Sequence, residues 1–213
     1  MRIGVLALQG DFREHVEALQ RAGAEAKEVR LPSDLDAVDA IIIPGGESTT
    51  IIRLLDKSGL REPLARRIAA GMPAMGTCAG AIVLAKHAQG LDRPSLGVMN
   101  IDVRRNAFGR QVDSFEADIP FPCLGEDPLH AVFIRAPVIE AVRPPAKTLA
   151  TLEDGTIVAA GQGNVLALAF HPELTADPRV HQYFLDLVSS PSRRAGASSP
   201  DSRSAGACPP QEA

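Results

Sequence analysis

The 213-residue chain is poor in aromatic side chains and has no excess of basic ones. It contains no Trp, one Tyr and seven Phe, and its 22 Lys and Arg are outnumbered by 26 Asp and Glu, which gives a formal net charge of −4. Nucleic-acid binders need a basic surface, and single-strand binders also need aromatic platforms on which bases stack. The composition therefore argues against a nucleic-acid partner.

Cysteine is scarce and long hydrophobic runs are lacking. Cys78, Cys123 and Cys208 are widely spaced and form neither a CxxC pair nor a Cys/His cluster, so no metal site is predicted. An odd count without a secretion signal is typical of reduced thiols in the cytoplasm. The apolar run at residues 2–8 is too short to span a membrane. We therefore predict a cytoplasmic protein with no membrane association.

The end of the chain differs in composition from the rest. Residues 189–213 contain no Leu, Ile, Val, Phe or Met. Such a segment cannot bury enough apolar surface to offset its conformational entropy. We predict one globular domain over residues 1–188, followed by a disordered Ser/Pro/Ala/Gly-rich tail over residues 189–213.

Two kinds of apolar pattern alternate in the first half of the chain. Continuous apolar runs predict buried strands at 2–8, 40–43 and 73–77, and spacing by three or four residues predicts helices at 12–22, 49–57, 62–70 and 79–88. Apolar strands that alternate with helices are typical of a parallel sheet covered on both faces. Strands at 98–104, 115–119, 131–136, 148–152, 156–160 and 165–170, with a last helix from Asp177 to about Val188, indicate an antiparallel extension of that sheet. The predicted fold class is α/β, a three-layer sandwich with a mostly parallel central sheet.

The segment Gly76-Thr77-Cys78-Ala79-Gly80 joins a predicted strand to a predicted helix. This is the setting of a nucleophile elbow, a sharp turn that lifts a nucleophile above the sheet. The helix N-terminus behind Cys78 favours a reactive thiolate, and the glycines let neighbouring backbone come close. An unreactive cysteine in a tight turn would fit the same residues, so the motif alone leaves both interpretations open.

A nucleophilic cysteine needs a histidine and an acid that orients it. His171 follows the strand 165–170, at the carboxyl edge where open α/β sheets form their sites. Pro172 favours extended backbone at His171, and residues two apart then point the same way, so Glu173 can lie beside it. A polar turn is the alternative for this motif by itself. The other histidines, His15, His87, His130 and His181, are predicted to be solvated surface residues.

The segment Pro44-Gly45-Gly46-Glu47-Ser48-Thr49 follows the strand 40–43 and precedes a helix that Ser48 or Thr49 could cap. Free backbone N–H groups at such a point bind anions or polarise a carbonyl oxygen. No Gly-Lys-Ser/Thr follows, so the segment is not a nucleotide-binding P-loop. A simple strand-to-helix turn is the alternative.

Taken together, these motifs resemble the class I, or triad, glutamine amidotransferases, whose sandwich is flavodoxin-like. Within that class the chain resembles the glutaminase subunits of pyridoxal 5′-phosphate synthase. The segments that carry this resemblance are LQGDFREH (8–15), PGGESTT (44–50), GTCAG (76–80), RNAFGRQVDSFEAD (105–118), FIRAP (133–137) and FHPEL (170–174). They occur in the family's order and cover the chain as far as about residue 188.

The resemblance implies a role for individual residues. Cys78 would attack the side-chain amide of L-glutamine and release ammonia through a thioester, with His171 moving protons and Glu173 orienting His171. The implied glutamine-binding residues are Gly46, Glu47, Ser48, Arg105, Ile134 and Arg135, and the implied oxyanion donors are the backbone amides of Gly46 and Ala79. A cation such as Arg105 suits the α-carboxylate of the substrate.

The resemblance also implies a partner. A (β/α)₈-barrel synthase subunit, in a large hetero-oligomer, would accept the ammonia and build pyridoxal 5′-phosphate from a pentose phosphate and a triose phosphate. The chain itself would bind no cofactor. Three alternatives remain open: a glutaminase subunit that serves histidine or nucleotide biosynthesis, a cysteine peptidase or amidase, and a non-catalytic binding module on the same fold. RNAFGRQVDSFE argues against the first, and the intact Cys, His and Glu argue against the last.

Overall fold

A computed structural model of the chain describes residues 1–105 and 114–190. The strands in these ranges are β1 Arg2–Leu6, β2 Glu25–Val29, β3 Ala40–Ile43, β4 Ala74–Thr77, β5 Ala85–Gln89, β6 Met99–Arg104, β7 Ser114–Ile119, β8 Leu129–Ile134, β9 Val138–Val142, β10 Lys147–Thr151, β11 Ile157–Gln162 and β12 Val165–Leu168. The α-helices in these ranges are α1 Phe12–Arg21, α2 Ser48–Ser58, α3 Arg61–Ala69, α4 Ala79–Leu84 and α5 Arg179–Ser189. Short 3₁₀ turns cover Pro32–Ala37, Pro122–Leu124 and Pro172–Leu174.

Ten strands form one sheet in the order β2-β1-β3-β4-β12-β11-β9-β6-β5, with β10 paired to β11. The pairs from β2 to β12 in this order are parallel. The pairs of β11 with β12, β9 and β10, and of β6 with β9, are antiparallel. This arrangement confirms the predicted α/β sheet with its antiparallel extension. Residues 115–119 and 131–136 were expected in that extension, but β7 and β8 form a separate two-stranded ribbon.

The central strands are apolar because both of their faces are covered. In β3, Ile41 and Ile43 pack with residues of α2, α3 and α4. Ile42 points to the opposite face and packs with residues of α1, α5 and the β7–β8 ribbon. Alternate side chains of one strand therefore enter two separate cores, which is the three-layer sandwich that the sequence predicts.

Helix α4 is shorter than the apolar pattern predicts. The expected helix at 79–88 ends at Leu84, and Ala85–Gln89 form β5, which pairs in parallel with β6. Pairing with β6 satisfies the backbone there, so tertiary context overrides the local helical spacing. Strands β2 and β9 have no counterpart among the predicted elements.

Parts of the sequence interpretation lie outside the described residues. These are the tail beyond residue 190 and residues 106–113 of the RNAFGRQVDSFEAD segment. Between residues 1 and 105 and between 114 and 190, no helix is both long and apolar enough to cross a membrane.

The cysteines of the described ranges differ from each other. Cys78 is a free, buried thiol. Cys123 is disulfide-bonded, so the prediction of reduced thiols throughout the chain is wrong at this residue. Spacing along the chain does not determine which thiols meet in the fold.

Candidate active site

Cys78 lies between β4 and α4 in a backbone conformation that few L-residues adopt. Its φ is 48° and its ψ is −104°. Such conformations cost on the order of 1–3 kcal/mol and persist only where the surroundings enforce them. The Cys78 N–H donates to the carbonyl of Leu168 in β12 at 2.8 Å. The Cys78 Sγ lies 3.8 Å from the carbonyl oxygen of Ile134. The turn is the strained strand-to-helix junction expected of a nucleophile elbow.

The two glycines of the motif are required by close backbone packing. A Cβ on Gly80 would lie 2.0 Å from the carbonyl oxygen of Ile43, and a Cβ on Gly76 would lie 2.5 Å from the backbone of Gly80. Neither position can carry a side chain unless the backbone moves. Because both residues lack a side chain, α4 can start directly after Cys78 and pack closely against β3.

His171 and Glu173 are buried side by side next to Cys78. His171 Nδ1 lies 2.7 Å from Glu173 Oε1, and the imidazole is also hydrogen-bonded to Cys78. The two residues are only 3% and 4% exposed. They meet through the 3₁₀ turn Pro172–Leu174 rather than through the extended backbone that the sequence suggests. The backbone N–H of His171 donates to the backbone carbonyl of Val132 at 2.9 Å, and this bond holds the turn against the β7–β8 ribbon.

The charges of these groups depend on each other. Burial alone would lower the pKa of His171, but its hydrogen bonds to Cys78 and Glu173 raise it to about 10. Burial alone would raise the pKa of Glu173, but His15 and His171 hold it below its usual value. At neutral pH a carboxylate therefore faces an imidazolium, and the positive charge of that ring lies beside the Cys78 sulfur.

An open cleft of about 420 Å³ lies above Cys78. Its lining residues are Gln9, Gly10, Asp11, Gly46, Glu47, Ser48, Cys78, Ala79, Ile82, Arg105, Ile134, Arg135, His171 and Leu174. The structure therefore brings together every site residue suggested by the sequence. Glu173 alone is not in the lining, because it is buried behind His171. A larger depression of about 620 Å³ over residues 86–97 contains none of these groups.

Glu47, and not Ser48 or Thr49, caps helix α2. Its carboxylate accepts the backbone N–H groups of Thr49 at 3.3 Å and Thr50 at 2.6 Å, together with both hydroxyls. Burial alone would raise the pKa of Glu47, but these hydrogen bonds lower it to about 2. Arg105 Nη2 donates to Glu47 Oε1 at 2.8 Å, which holds a guanidinium at the edge of the cleft.

The Gly45–Gly46 peptide is held by the segment of residues 9–11. The carbonyl of Gly45 accepts the N–H of Asp11 at 3.2 Å. The next peptide is tied to the same segment, because the Glu47 N–H donates to Gln9 Oε1 at 2.8 Å. Gly46 has a φ of 142°, a conformation that is open to glycine and that L side chains avoid.

Three potential metal ligands meet beside the cleft. One ligand atom each of Asp11, His171 and Glu173 lies within 4.8 Å of the others. Asp11 Oδ2 is 3.6 Å from His171 Nδ1, but that nitrogen already donates to Glu173. These three groups therefore fit an imidazole held in place by carboxylates better than they fit a metal site, which needs three free ligands.

Two histidines assigned to the surface from the sequence are buried behind Glu173. His15 is 0% and His181 is 1% exposed, so the prediction that they are solvated is wrong. Charged neighbours in the sequence suggested exposure, yet His15 lies three residues after Phe12, on the apolar face of α1. That spacing is the signal that could have identified it. His87 in β5 and His130 in β8 are exposed as expected, although both lie in strands.

Comparison with known proteins identifies the family of the chain. Residues 5–190 match the model of the SNO glutamine amidotransferase family. The chain is 56% identical over 188 residues to pyridoxal 5′-phosphate synthase subunit PdxT of Moorella thermoacetica, a match covering 88% of this chain and 100% of that protein. The protein of the same name from Roseiflexus sp. is 58% identical over 189 residues, with the same two coverages.

Solved structures give the same result. A crystal structure of a glutamine amidotransferase matches with a TM-score of 0.83 and 52% identity, covering 88% of this chain and 99% of that chain. PurLQS from Thermotoga maritima shares the fold alone, with a TM-score of 0.64 and 18% identity over 88% of this chain and 98% of that one. With a family match over nearly all described residues and relatives more than half identical, the chain belongs to the SNO glutamine amidotransferase family.

Proposed function

We propose that the chain is the glutaminase subunit of a pyridoxal 5′-phosphate synthase. It hydrolyses L-glutamine to L-glutamate and ammonia, and the ammonia serves vitamin B6 synthesis on a partner subunit. The observation that carries the proposal is the hydrogen-bonded series of Cys78, His171 and Glu173 beneath an open cleft, in a chain of this family.

In this proposal the Cys78 sulfur attacks the side-chain amide carbon of glutamine. His171 Nδ1 is occupied by Glu173, so Nε2 is the ring nitrogen that serves Cys78. His171 gives its proton to the departing ammonia, which leaves a thioester on Cys78. Water that His171 deprotonates then hydrolyses the thioester and releases glutamate. The backbone N–H groups of Gly46 and Ala79 stabilise the oxyanion at both stages.

The remaining residues of the cleft hold the substrate. Arg105 is positioned by Glu47 and binds the α-carboxylate of glutamine. Because the Glu47 carboxylate caps α2 and the Glu47 N–H is bound to Gln9, Glu47 acts by holding Arg105 and the helix start in place, and Ser48 contributes its backbone N–H there. Ile134 and Arg135 lie where β8 ends above Cys78, and Arg135 turns the chain there with a φ of 44°.

The partner covers the mouth of the cleft. Two large apolar side chains of the rim, Ile134 and Leu174, are 37% and 44% exposed. A barrel subunit that buries them would exclude water and receive the ammonia before it escapes. The assembly is a large hetero-oligomer in which residues 1–188 form the glutaminase domain. A cytoplasmic location is part of the same proposal.

The test is an isotope experiment with the synthase subunit present. Amide-¹⁵N glutamine is supplied together with unlabelled ammonium, and we expect ¹⁵N in the pyridoxal 5′-phosphate formed. The control is Cys78→Ala, which should give no labelled product but should allow synthesis from a high concentration of ammonium. Product that carries only unlabelled nitrogen with the wild-type chain would refute the proposal. Glutamine hydrolysis that no synthase subunit can use would support a different acceptor.

A further inference from the structure

A closed polar cluster lies behind Glu173, on the side away from the cleft. It consists of His15 from α1, Thr77 from β4 and His181 from α5, each at most 1% exposed. The steps of glutamine hydrolysis outlined above use none of them. Three different elements supply the cluster, so its geometry is set by the packing of the whole sandwich.

His15 is the centre of this cluster. Its Nδ1 lies 3.1 Å from His181 Nε2. Its Nε2 lies 3.0 Å from Thr77 Oγ1 and 3.3 Å from Glu173 Oε2. Both ring nitrogens are therefore within hydrogen-bond distance of a buried polar atom.

The distances determine where the protons lie. Burial lowers the pKa of His15 and lowers that of His181 to about 3, so each ring is neutral and carries one N–H. A lone pair on His15 Nε2 would face the negative oxygen of Glu173, whereas an N–H there attracts it. The charge of Glu173 therefore favours the tautomer of His15 with its proton on Nε2, which can also donate to Thr77 Oγ1. His15 Nδ1 is then an acceptor, and His181 must donate to it from its own Nε2.

One oxygen of the Glu173 carboxylate lacks a hydrogen-bond donor of normal geometry among the described residues. Its Oε1 accepts from His171, while its Oε2 is buried and has no hydrogen bond of normal geometry within residues 1–105 and 114–190. A buried carboxylate oxygen without a compensating donor is costly. His15 Nε2, which lies 3.3 Å from this oxygen and 3.0 Å from Thr77 Oγ1, is a buried nitrogen that faces its charge.

We propose that His15 is a positioning residue for the active-site carboxylate. Its Nε2–H holds Glu173 so that Oε1 points at His171 Nδ1, and His181 fixes His15 in the tautomer that can do so. The inference rests on the proposed function, because His15 acts on the reaction only through Glu173.

The matched variants are His15→Gln and His15→Asn. The longer Gln amide reaches the place of Nε2, whereas the shorter Asn amide reaches only the place of Nδ1 and leaves Glu173 without its donor. We expect His15→Gln to keep most of the kcat and His15→Asn to lose about 10–100-fold, as is typical for outer partners of active groups. The KM for glutamine should stay the same. Equal kcat values for two folded variants would overturn the inference.

A double variant shows whether His15 acts through Glu173. In a Glu173→Gln background, His15→Asn should cost little further kcat, because the group that it positions is already lost. The same fold-loss in both backgrounds would show a general structural effect and overturn the inference. Loss of activity in Glu173→Gln without any in His15→Asn would leave the proposed function standing and refute the role of His15. Full activity in Glu173→Gln would refute the triad, and the inference with it.

The wild-type chain provides a test that depends on neither activity nor the folding of variants. Long-range ¹H–¹⁵N NMR spectra of histidine-labelled protein report the tautomer of each ring. We expect His15 and His181 both to carry their proton on Nε2. A proton on Nδ1 of His15 would contradict the inference.

Discussion

His171 Nδ1 and Glu173 Oε1 are 2.7 Å apart, although only Pro172 separates the two residues in the chain. The proline starts a 3₁₀ turn that folds the carboxylate back onto the imidazole. The proposed general base and its orienting acid are therefore placed by one local turn. Cys78 comes from a distant part of the sequence.

The proposed triad of Cys78, His171 and Glu173 can be tested by substitution. We expect His171→Ala to remove as much glutaminase activity as Cys78→Ala, and Glu173→Gln to remove less. In a serine protease, loss of the nucleophile or the base costs about 10⁶ in kcat and loss of the acid about 10⁴. Steady-state release of glutamate measures all three. Near-normal turnover by His171→Ala would refute its role.

The reactive thiol can be identified by labelling. An alkylating glutamine analogue should modify Cys78, because the cleft delivers the analogue there and His171 supports the thiolate. Cys123 and Cys208 should stay unmodified under reducing conditions, as peptide mass spectrometry would show. Cys78→Ala is the control and should take up no label. Equal labelling of all three thiols would contradict an activated Cys78.

The buried histidines should make the fold sensitive to acid. His181 has a pKa of about 3 in the folded chain, against an ordinary value of 6.5. Between these values the unfolded chain binds a proton that the folded chain does not, so stability falls as the pH falls from 6.5 towards 3. One such histidine adds a slope of about 1.4 kcal/mol per pH unit to the free energy of unfolding.

Urea unfolding at a series of pH values measures that slope. His181→Gln should have a shallower slope than the wild-type chain, while its amide can still donate to His15. The exposed His87 provides the matched control, because His87→Gln removes a histidine that the fold does not bury. Identical slopes for the wild-type chain and His181→Gln would show that His181 is not held neutral.

The end of the chain should be dispensable. We expect deletion of residues 191–213 to leave both the melting temperature and glutamine hydrolysis unchanged, because this segment has no large apolar side chain. The Moorella relative is matched over its whole length by 88% of this chain. The full-length and the truncated chain should be compared under reducing conditions, so that Cys123 is a free thiol in both. A melting temperature several degrees lower after deletion would show that the tail packs on the domain.

The isolated chain should be a slow glutaminase. The Asp11 N–H holds the carbonyl of Gly45 at 3.2 Å and so keeps the Gly45–Gly46 peptide in one orientation. We expect docking of the synthase to turn this peptide and complete the oxyanion hole. One missing oxyanion donor costs about 10²–10³ in rate in a protease, so activation of that order is expected. Glutamate release with and without stoichiometric partner tests this, and a rate that the partner leaves unchanged would contradict it.

Much of the central sheet could be predicted, because its strands are continuous apolar runs. All four residues of β3 are buried, and Pro44, Gly45 and Gly46 follow it. Strand β2 could not be predicted in this way, since in Glu25–Val29 only Val29 is buried. The end of α4 at Leu84 also escaped prediction, because it depends on the pairing of β5 with β6. In both segments the secondary structure is set by pairing with strands that are distant in the sequence.

The residues of the cleft were found through short motifs, whereas the cluster behind them was not. Cys78 and His171 stand at element junctions where glycine and proline mark unusual backbone. His15 and His181 both lie inside predicted helices, and His15 has charged neighbours, so the sequence pattern favoured a solvated surface position for each. The position of His15 three residues after Phe12 is a local signal of burial, but its contact with His181 and Glu173 follows from how α1 and α5 pack on the sheet, which no local spacing expresses.

At Cys78, the residue that best suits the positive φ of the backbone is not the residue that the proposed reaction needs. Glycine is the residue that accepts such a backbone angle most readily, and glycine has no sulfur. Selection for a more robust fold, natural or in the laboratory, would thus favour a change that abolishes the reaction. A cysteine at this turn therefore costs the fold stability, and the proposed nucleophile is what the chain gains in return.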